Sequence, residues 1–497
     1  MSQKSVAMGT ADQFIAEFTA LGAEAKRKNP EIKHACDHSI ELSRPFGLNA
    51  NVSHKSMAQS HAKSYEESIR EHPEFMNPIL MSCNSKNQKL IAHAVRILAS
   101  TIQLNMLPLD ESNVESSSET IDLVVESLLN ASNSTADIQV KLLQLLPIFF
   151  QQYAFHINDD TLSKLLFICS NLQGANKTPV IVNTAQATFS QLLDIVFEKV
   201  ERSLSLSNDI EGKKNLHEVL IDNKQTVRID QFSYDVQRIV SDLCTLIEHH
   251  KPTFLRTNYM SEDYGFEVME SLIKNNSELF LTRVELAFLL RTRIAPLLLR
   301  FLSSSKDFTL MVKVSRLILL ILEKEFSVLK IESEVTLTML THILSKESGA
   351  PTWKKTMVLE IFVATFKNAD LLKSIFSAYD NNPTEERKSV IHELLTTCFL
   401  IVSEQKHVLN TGDLIQPPVV QSQVTADPQT KQTRSVQTLG LNSKDISGAV
   451  RFIDSIDKQE PPQITENYNL YLILQILIGL SDCIQSSNLN LMKSTDP

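Results

Sequence analysis

The sequence predicts an all-α protein, an armadillo- or HEAT-like irregular α-solenoid of antiparallel helix pairs, and three observations carry that prediction. Glycine is scarce: 11 of 497 residues, about 2% against a usual level near 7%. Glycine supplies the positive-φ turns and phosphate-hugging loops of β and α/β proteins, so Rossmann folds, P-loops, propellers and sandwiches are disfavoured. Apolar residues recur at helical spacing, whereas strict period-two alternation is rare and no Asn-Gly or Asp-Gly turn joins two alternating runs. The breaks between helical runs are short and polar, as at Asn130–Thr135, Asn158–Asp160, Ser303–Asp307, Lys346–Pro351 and Asn381–Pro383, which sets neighbouring helices antiparallel. Roughly fifteen helices exceed one core, since single cores stop growing at ~250–300 residues. Stacking in pairs resolves this, each pair burying its stripe against the next. No clean repeat of fixed period stands out, hence the irregular solenoid.

Five segments follow in chain order: a helical domain over 1–205, a polar linker over 206–231, a second helical domain over 232–409, a disordered insert over 410–444, and further helices over 445–497. In the first, Glu66-Glu67 reads as a charged helix face and Pro108–Glu119 as an exposed loop. Asp159-Asp160 reads as an N-cap before Leu162. Phe189, Leu192, Leu193, Val196, Phe197 and Val200 fall on one helix face. In the second domain, Trp353 begins a helix as a packing anchor. Val358, Leu359, Phe362 and Phe366 face inward, with Lys354, Lys355, Glu360 and Lys367 on the solvent side. Val390, Ile391, Leu394, Leu395, Cys398 and Phe399 make another amphipathic run. Asn410–Lys444, rich in Gln, Thr, Ser, Val and Pro without periodicity, cannot offset its ordering entropy by burial. Tyr468–Cys483 is one more apolar helix. Its closeness to the end of the sequence reads as a solenoid cut short.

The net charge of −10 and pI near 5.8 disfavour the phosphate attraction on which nucleic-acid binders depend. Six dispersed cysteines without a CxxC pair read as small core residues in a reducing compartment. The start of the chain lacks the apolar run of a signal peptide. The longest apolar stretches, Leu317–Leu322 and Leu470–Leu480, fall short of the roughly 20 residues that span a bilayer. None of the nucleotide, zinc-protease, serine-hydrolase or calcium motifs occurs. His34 and His38 stand one turn apart but lack a third ligand, and the adjacent His249 and His250 diverge on a helix. No catalytic residue, cofactor or metal site is therefore expected. Lys26, Arg27, Lys28 and Lys33 form a compact basic cluster that reads either as an anionic-membrane contact, at about 1 kcal/mol per charge near a lipid surface, or as a solvated helix face.

Several blocks together resemble the Mon-two (monensin-sensitivity) family, relatives of the large BIG and GBF Arf guanine-nucleotide exchange factors that lack their catalytic activity. They are the Glu24–Glu41 run, His72-Pro-Glu-Phe-Met-Asn-Pro78, Cys83–Leu90, Asp137–Gln144 and Val182–Leu192 running on to Phe197-Glu198. These fall in the family's DCB (dimerisation and cyclophilin-binding) domain. Gly265–Asn275 and Leu289–Leu297 are similar to its HUS (homology upstream of the catalytic domain) region, and Ile456–Pro462 to the segment beyond. The exchange factors carry a HUS-box signature, Asn-(Tyr/Phe)-Asp-Cys-(Asp/Asn). Here Tyr379, Asp380 and Asn382 fit it, while Ala378 and Asn381 depart, as suits the Mon-two branch. The resemblance implies an interdomain contact at these three residues; a helix-end turn ahead of Pro383 is the equal alternative.

What the resemblance implies in function is a non-enzymatic scaffold, peripheral on trans-Golgi network and endosome membranes, without the glutamate-finger motif of a Sec-seven domain. It would self-associate through its DCB-like domain and work with a Dopey-type protein, an Arf-like small GTPase and an aminophospholipid flippase. Two alternatives stand beside it. One is the regulatory N-terminal half of an active Arf exchange factor. The other is an unrelated HEAT-type adaptor.

Overall fold

The computed structural model describes residues 2–25, 28–47, 64–109, 114–206, 216–222, 225–381, 389–404, 452–454, 460–461 and 466–493. The insert expected over 410–444 lies outside them. The chain divides into two compact units. The first comprises Met1–Val219, Thr226–Asp242 and Lys251–Tyr259; the second comprises Leu220–Gln225, Leu243–His250 and Met260–Pro497.

The first unit contains α1 (Ser2–Ala25), α2 (Pro30–Ser43), α3 (Tyr65–Arg70), α4 (Asn77–Cys83), α5 (Gln88–Gln103), α6 (Val114–Ala131), α7 (Ala136–Tyr153), α8 (Asp159–Asn171) and α9 (Pro179–Leu206). Helices α1, α5, α7 and α9 lie side by side in one layer and α2, α4, α6 and α8 in the other. This is the stacking that short connections and one-sided apolar stripes demand. On α5, Leu90, Ile91, Ala94, Val95, Leu98 and Ile102 are buried, and the six apolar residues anticipated on α9 are buried as well. Local chemistry sets the helix starts. Ser64 and Glu67 make a reciprocal capping box at α3, with bonds of 3.2 and 3.0 Å, so Glu67 caps the helix and does more than charge its face. At the base of the unit Phe14, Phe18 and Phe75 meet edge-on, with centroids 5.1–5.6 Å apart for the pairs with Phe75. The stretch read as an exposed loop from Pro108 differs: Pro108 is buried and residues from Val114 onward already belong to α6.

Two strands, β1 (His217–Asp222) and β2 (Gln225–Ile229), pair into a two-stranded sheet, so the stretch 206–231 is more than a polar linker. Thr226-Val227-Arg228-Ile229 carries the β-branched alternation that a short strand needs; the helical periodicity on either side masked it. Helix α10 (Gln231–Ile247) follows.

The second unit contains α11 (Glu262–Asn275), α12 (Ser277–Thr282), α13 (Val284–Leu289), α14 (Ala295–Ser304), α15 (Phe308–Lys324), α16 (Lys330–Leu344), α17 (Thr352–Lys367), α18 (Ala369–Ile375), α19 (Val390–Glu404) and α20 (Glu466–Lys493). Helices α11, α15, α17 and α20 form one layer; α14, α16 and α19 form the other. Trp353 does anchor the start of α17, its ring edge-on to Phe308 at 5.5 Å. Single π-helical turns occupy Leu290–Ile294 and Phe376–Asp380.

Lys354 and Glu360 are not on a solvent face. Lys354 is buried and Glu360 fully so, because α17 lies between α15 and α20 with α16 across the layer. Glu360 accepts from the Ile453 amide at 2.9 Å and the Tyr468 hydroxyl at 2.8 Å. Lys354 donates to the Ser305 carbonyl at 3.3 Å. Each buried polar group thereby keeps a partner, as burial demands. Helix α20 sits flush on α17 at Gly479, where a Cβ would stand 2.7 Å from the Phe366 carbonyl oxygen.

The apolar runs understate helix length: Pro179–Ser203 and Tyr468–Ser486 are long and apolar enough to cross a membrane by length and composition, and half of the first window is buried inside the protein. All six cysteines are buried thiols.

Replacing Gly479 by valine should prise α20 off α17. The expected loss is ~1–3 kcal/mol in stability, read as an earlier denaturant midpoint for the second unit, whereas Gly9→Ala, which meets no neighbour within 4 Å, should leave it in place.

Candidate functional site

A dense polar cluster of the first unit forms where the start of α10 and the segment 251–259 meet α8 and α9. Asp235 is almost completely buried. It accepts from Arg238 at 2.5 Å, from the Gln231 side-chain amide at 2.9 Å and from the backbone amide of Asp159 at 3.1 Å. Arg238 also donates to Asp159 at 2.8 Å, and its guanidinium lies over the rings of Tyr234 and Phe254 at 4.4 and 4.0 Å. A planar, weakly hydrated cation suits such a slot, where lysine would not. Asp159 starts α8 with φ of +46°, a left-handed conformation uncommon outside glycine. Its amide and its carboxylate are both held by α10, so the strain is stabilised by contacts far along the chain. Asp159 is thus a clamp residue and not the cap that the sequence suggested.

Asp242, also buried, gathers the backbone amides of Thr253, Phe254 and Leu255 at 2.6–3.0 Å. It folds the segment back so that the Phe254 carbonyl accepts from Ser163 at 2.7 Å. Asp160 pairs with Arg256 and Lys164. Burial would raise its pKa, but the hydrogen bonds from these two cations outweigh it and hold the carboxyl below the ordinary range. On α9, Lys199 is buried, donates to the Ile157 carbonyl at 2.6 Å and lies 4.2 Å from the centroid of the Phe232 ring. Burial lowers its pKa to about 8, against the pull of Asp235 and Asp230. The opposite shift holds for Asp235, which burial raises despite Arg238 and the Asp159 amide. The charged groups of this cluster act on one another, and their chemistry is that of a fastening.

The second cluster holds the HUS-box-like residues. Tyr379 is buried, with its ring edge-on to Phe326 at 5.9 Å and its hydroxyl donating to the Lys330 carbonyl at 2.5 Å. Asp380 accepts from the Ile391 and His392 amides at 3.1 and 3.2 Å. It caps α19 from eleven residues upstream, supplying a carboxylate to the positive end of the helix. Phe326, Lys330, Ile391 and His392 all belong to the second unit. Asn382 lies outside the described residues.

Of the basic cluster, Lys26 and Arg27 lie outside the described residues. Lys28 and Lys33 are exposed; Lys33 sits on α2, while Lys28 lies in the turn before it. Among the described residues, no group of three or more His, Cys, Asp or Glu side chains is placed to hold a metal ion. Sequence reasoning missed Asp235, Arg238, Asp242 and Lys199. The one signal was the recurrence of Asp and Arg inside the otherwise amphipathic run of α10.

Residues 7–203 match the family profile described as Mon2/Sec7/BIG1-like, dimerisation and cyclophilin-binding domain. Residues 232–387 match the Mon2/Sec7/BIG1-like HUS domain. Protein MON2 of Saccharomyces cerevisiae is 30% identical over 486 residues, covering 96% of this chain and 27% of its own length. The MON2 homologue of Schizosaccharomyces pombe is 25% identical over 493 residues, 96% of this chain and 28% of its own. The human homologue is 22% identical over 501 residues, 93% and 28% respectively. The chain thus spans a little over a quarter of the length of these curated relatives. The HUS profile begins inside α10, and the residues of that profile up to Asp242, with Lys251–Tyr259, are built into the first unit.

Two outcomes test the fastening. Arg238→Met strands the buried Asp235 and should cost about 3–5 kcal/mol in chemical denaturation, whereas Arg228→Ala, which breaks the exposed pair with Glu218, should cost under ~1 kcal/mol. Lys199 binds its proton less tightly folded than unfolded, so stability should climb as pH rises from about 8 toward the ordinary lysine value near ~10.4. Lys199→Met should flatten that climb in pH-resolved melting curves.

Proposed function

The chain belongs to the Mon2 family and carries its DCB and HUS domains, and on that premise we propose that it is a non-enzymatic scaffold in Golgi and endosomal vesicle traffic. The observation that supports this reading is the division of labour between buried and exposed side chains. The ionisable clusters fasten helices to one another. Outward helix faces carry large apolar residues: Ile331 and Val335 on α16, Phe399 and Leu400 on α19, Leu474, Leu477 and Ile478 on α20. Apolar residues grouped on helix faces suit macromolecular partners better than a small substrate. Self-association is supported by the first domain's match to a dimerisation and cyclophilin-binding domain. A Dopey-type protein, an Arf-like small GTPase and an aminophospholipid flippase are the partners that fit, with peripheral attachment to trans-Golgi network and endosome membranes through the basic residues 26–33.

The purified chain should sediment and scatter as a dimer or larger at micromolar concentration, retain a Dopey-type protein in a pull-down, and leave GDP release from Arf-type GTPases at the uncatalysed rate. A strictly monomeric mass would remove the self-association, and catalysed GDP release would remove the non-enzymatic reading.

A further inference from the structure

Glu325 follows the last turn of α15, its amide donating to the Ile321 carbonyl at 2.8 Å. The residue is wholly enclosed, and neither carboxylate oxygen has a hydrogen-bond partner among the described residues. It contrasts with Asp235 and Asp242, which are as deeply buried and collect three or four donors each. An ionised carboxylate in this position would carry the full desolvation cost without compensation. The neutral acid carries far less.

The position of Glu325 makes that difference consequential. Its carbonyl accepts from the Val328 amide at 3.1 Å, closing the tight corner that turns α15 into α16. The next residue, Phe326, packs against Tyr379. The Tyr379 hydroxyl holds the first residue of α16, and its neighbour Asp380 caps α19. One corner thus joins α15, α16, the π turn and α19.

We propose that Glu325 is a proton-operated fastener of the second unit, closed while the carboxyl is neutral and loosened when it ionises. The groups that face it are the Ser277 hydroxyl at the start of α12, which stands near without completing a hydrogen bond, and Lys324 on its own helix. Both favour the charged form, and burial overrides them, raising its pKa to about 7. Because the closed state keeps its proton where an open state has lost it, closure is fully favoured below the ordinary carboxyl range. It weakens as pH rises to about 7 and is level above that.

The test is amide hydrogen exchange on the whole chain between about pH 5 and pH 8, corrected for intrinsic rates. Opening of residues 325–330 and 389–392 should increase at least ~10-fold across that range in the wild type. In Glu325→Gln it should stay level. Infrared difference spectra of the wild type supply a second arm that does not depend on the variant's folding: a buried carboxylic-acid carbonyl band, shifted by carbon-13 labelling of glutamate, should be present near pH 6 and gone near pH 8. A level wild-type profile, a Glu325→Gln profile with the wild-type slope, or absence of that band would each overturn the proposal.

Discussion

A helix in the middle of a two-layer stack touches neighbours on both sides of its own layer and across to the other. Such a helix cannot be amphipathic in the simple sense, because little of its circumference meets water. Helix α17 shows the consequence: most of its residues from Lys354 to Phe366 are buried, including a lysine and a glutamate. Burying those two without partners would cost several kcal/mol each. The structure answers with Ser305 for the lysine, and with Ile453 and Tyr468 for the glutamate. The placement of α20 follows. Its Tyr468 hydroxyl satisfies Glu360, its Asn469 meets Thr356 at 2.6 Å, and Gly479 allows contact with the α17 backbone.

The same requirement separates three other deeply buried acids, Asp235, Asp242 and Glu325. Asp242 collects backbone amides, Asp235 collects an arginine, a side-chain amide and a backbone amide, and Glu325 collects none of these. The first two are fixed in place because removing any donor leaves a charge stranded in a medium where charge is expensive. Glu325 has no such hold, and the cheapest state open to it is the neutral one. A buried acid with full partners makes a rigid joint; one without them makes a joint whose strength depends on the proton.

Much of the fold was legible because helix formation in this chain is governed by local periodicity. The stripe on α9, most of the stripe on α19, where Val390, Ile391, Leu394 and Cys398 are buried but Phe399 is exposed, and the polar breaks before α7, α15 and α17 all report on residues close in sequence. The fastening clusters were not legible because their partners are remote. Ser163 meets the Phe254 carbonyl 91 residues away, Asp159 meets Arg238 79 residues away, and Glu360 meets Tyr468 108 residues away. No periodicity within α17 distinguishes an exposed glutamate from one covered by a helix more than a hundred residues later. Tyr379 and Asp380 were found through family resemblance, and their contacts match the turn reading offered beside it, with Asp380 capping α19 within its own unit.

The division of the chain by contacts and its division by family profile disagree at α10, and the chemistry explains why. A profile boundary marks where sequence similarity resumes; a compact unit ends where burial ends. The charged residues of α10 nearest its start face α8 and α9, and Arg238 is held by Asp159, Asp235 and two aromatic rings that all lie in the first unit. Lys199, in turn, sits over Phe232 and so draws its surroundings from the HUS-profile side. Neither group of residues is complete without the other. The DCB fold therefore extends through the first turns of the HUS sequence, and the two names describe segments of sequence more faithfully than they describe separable bodies.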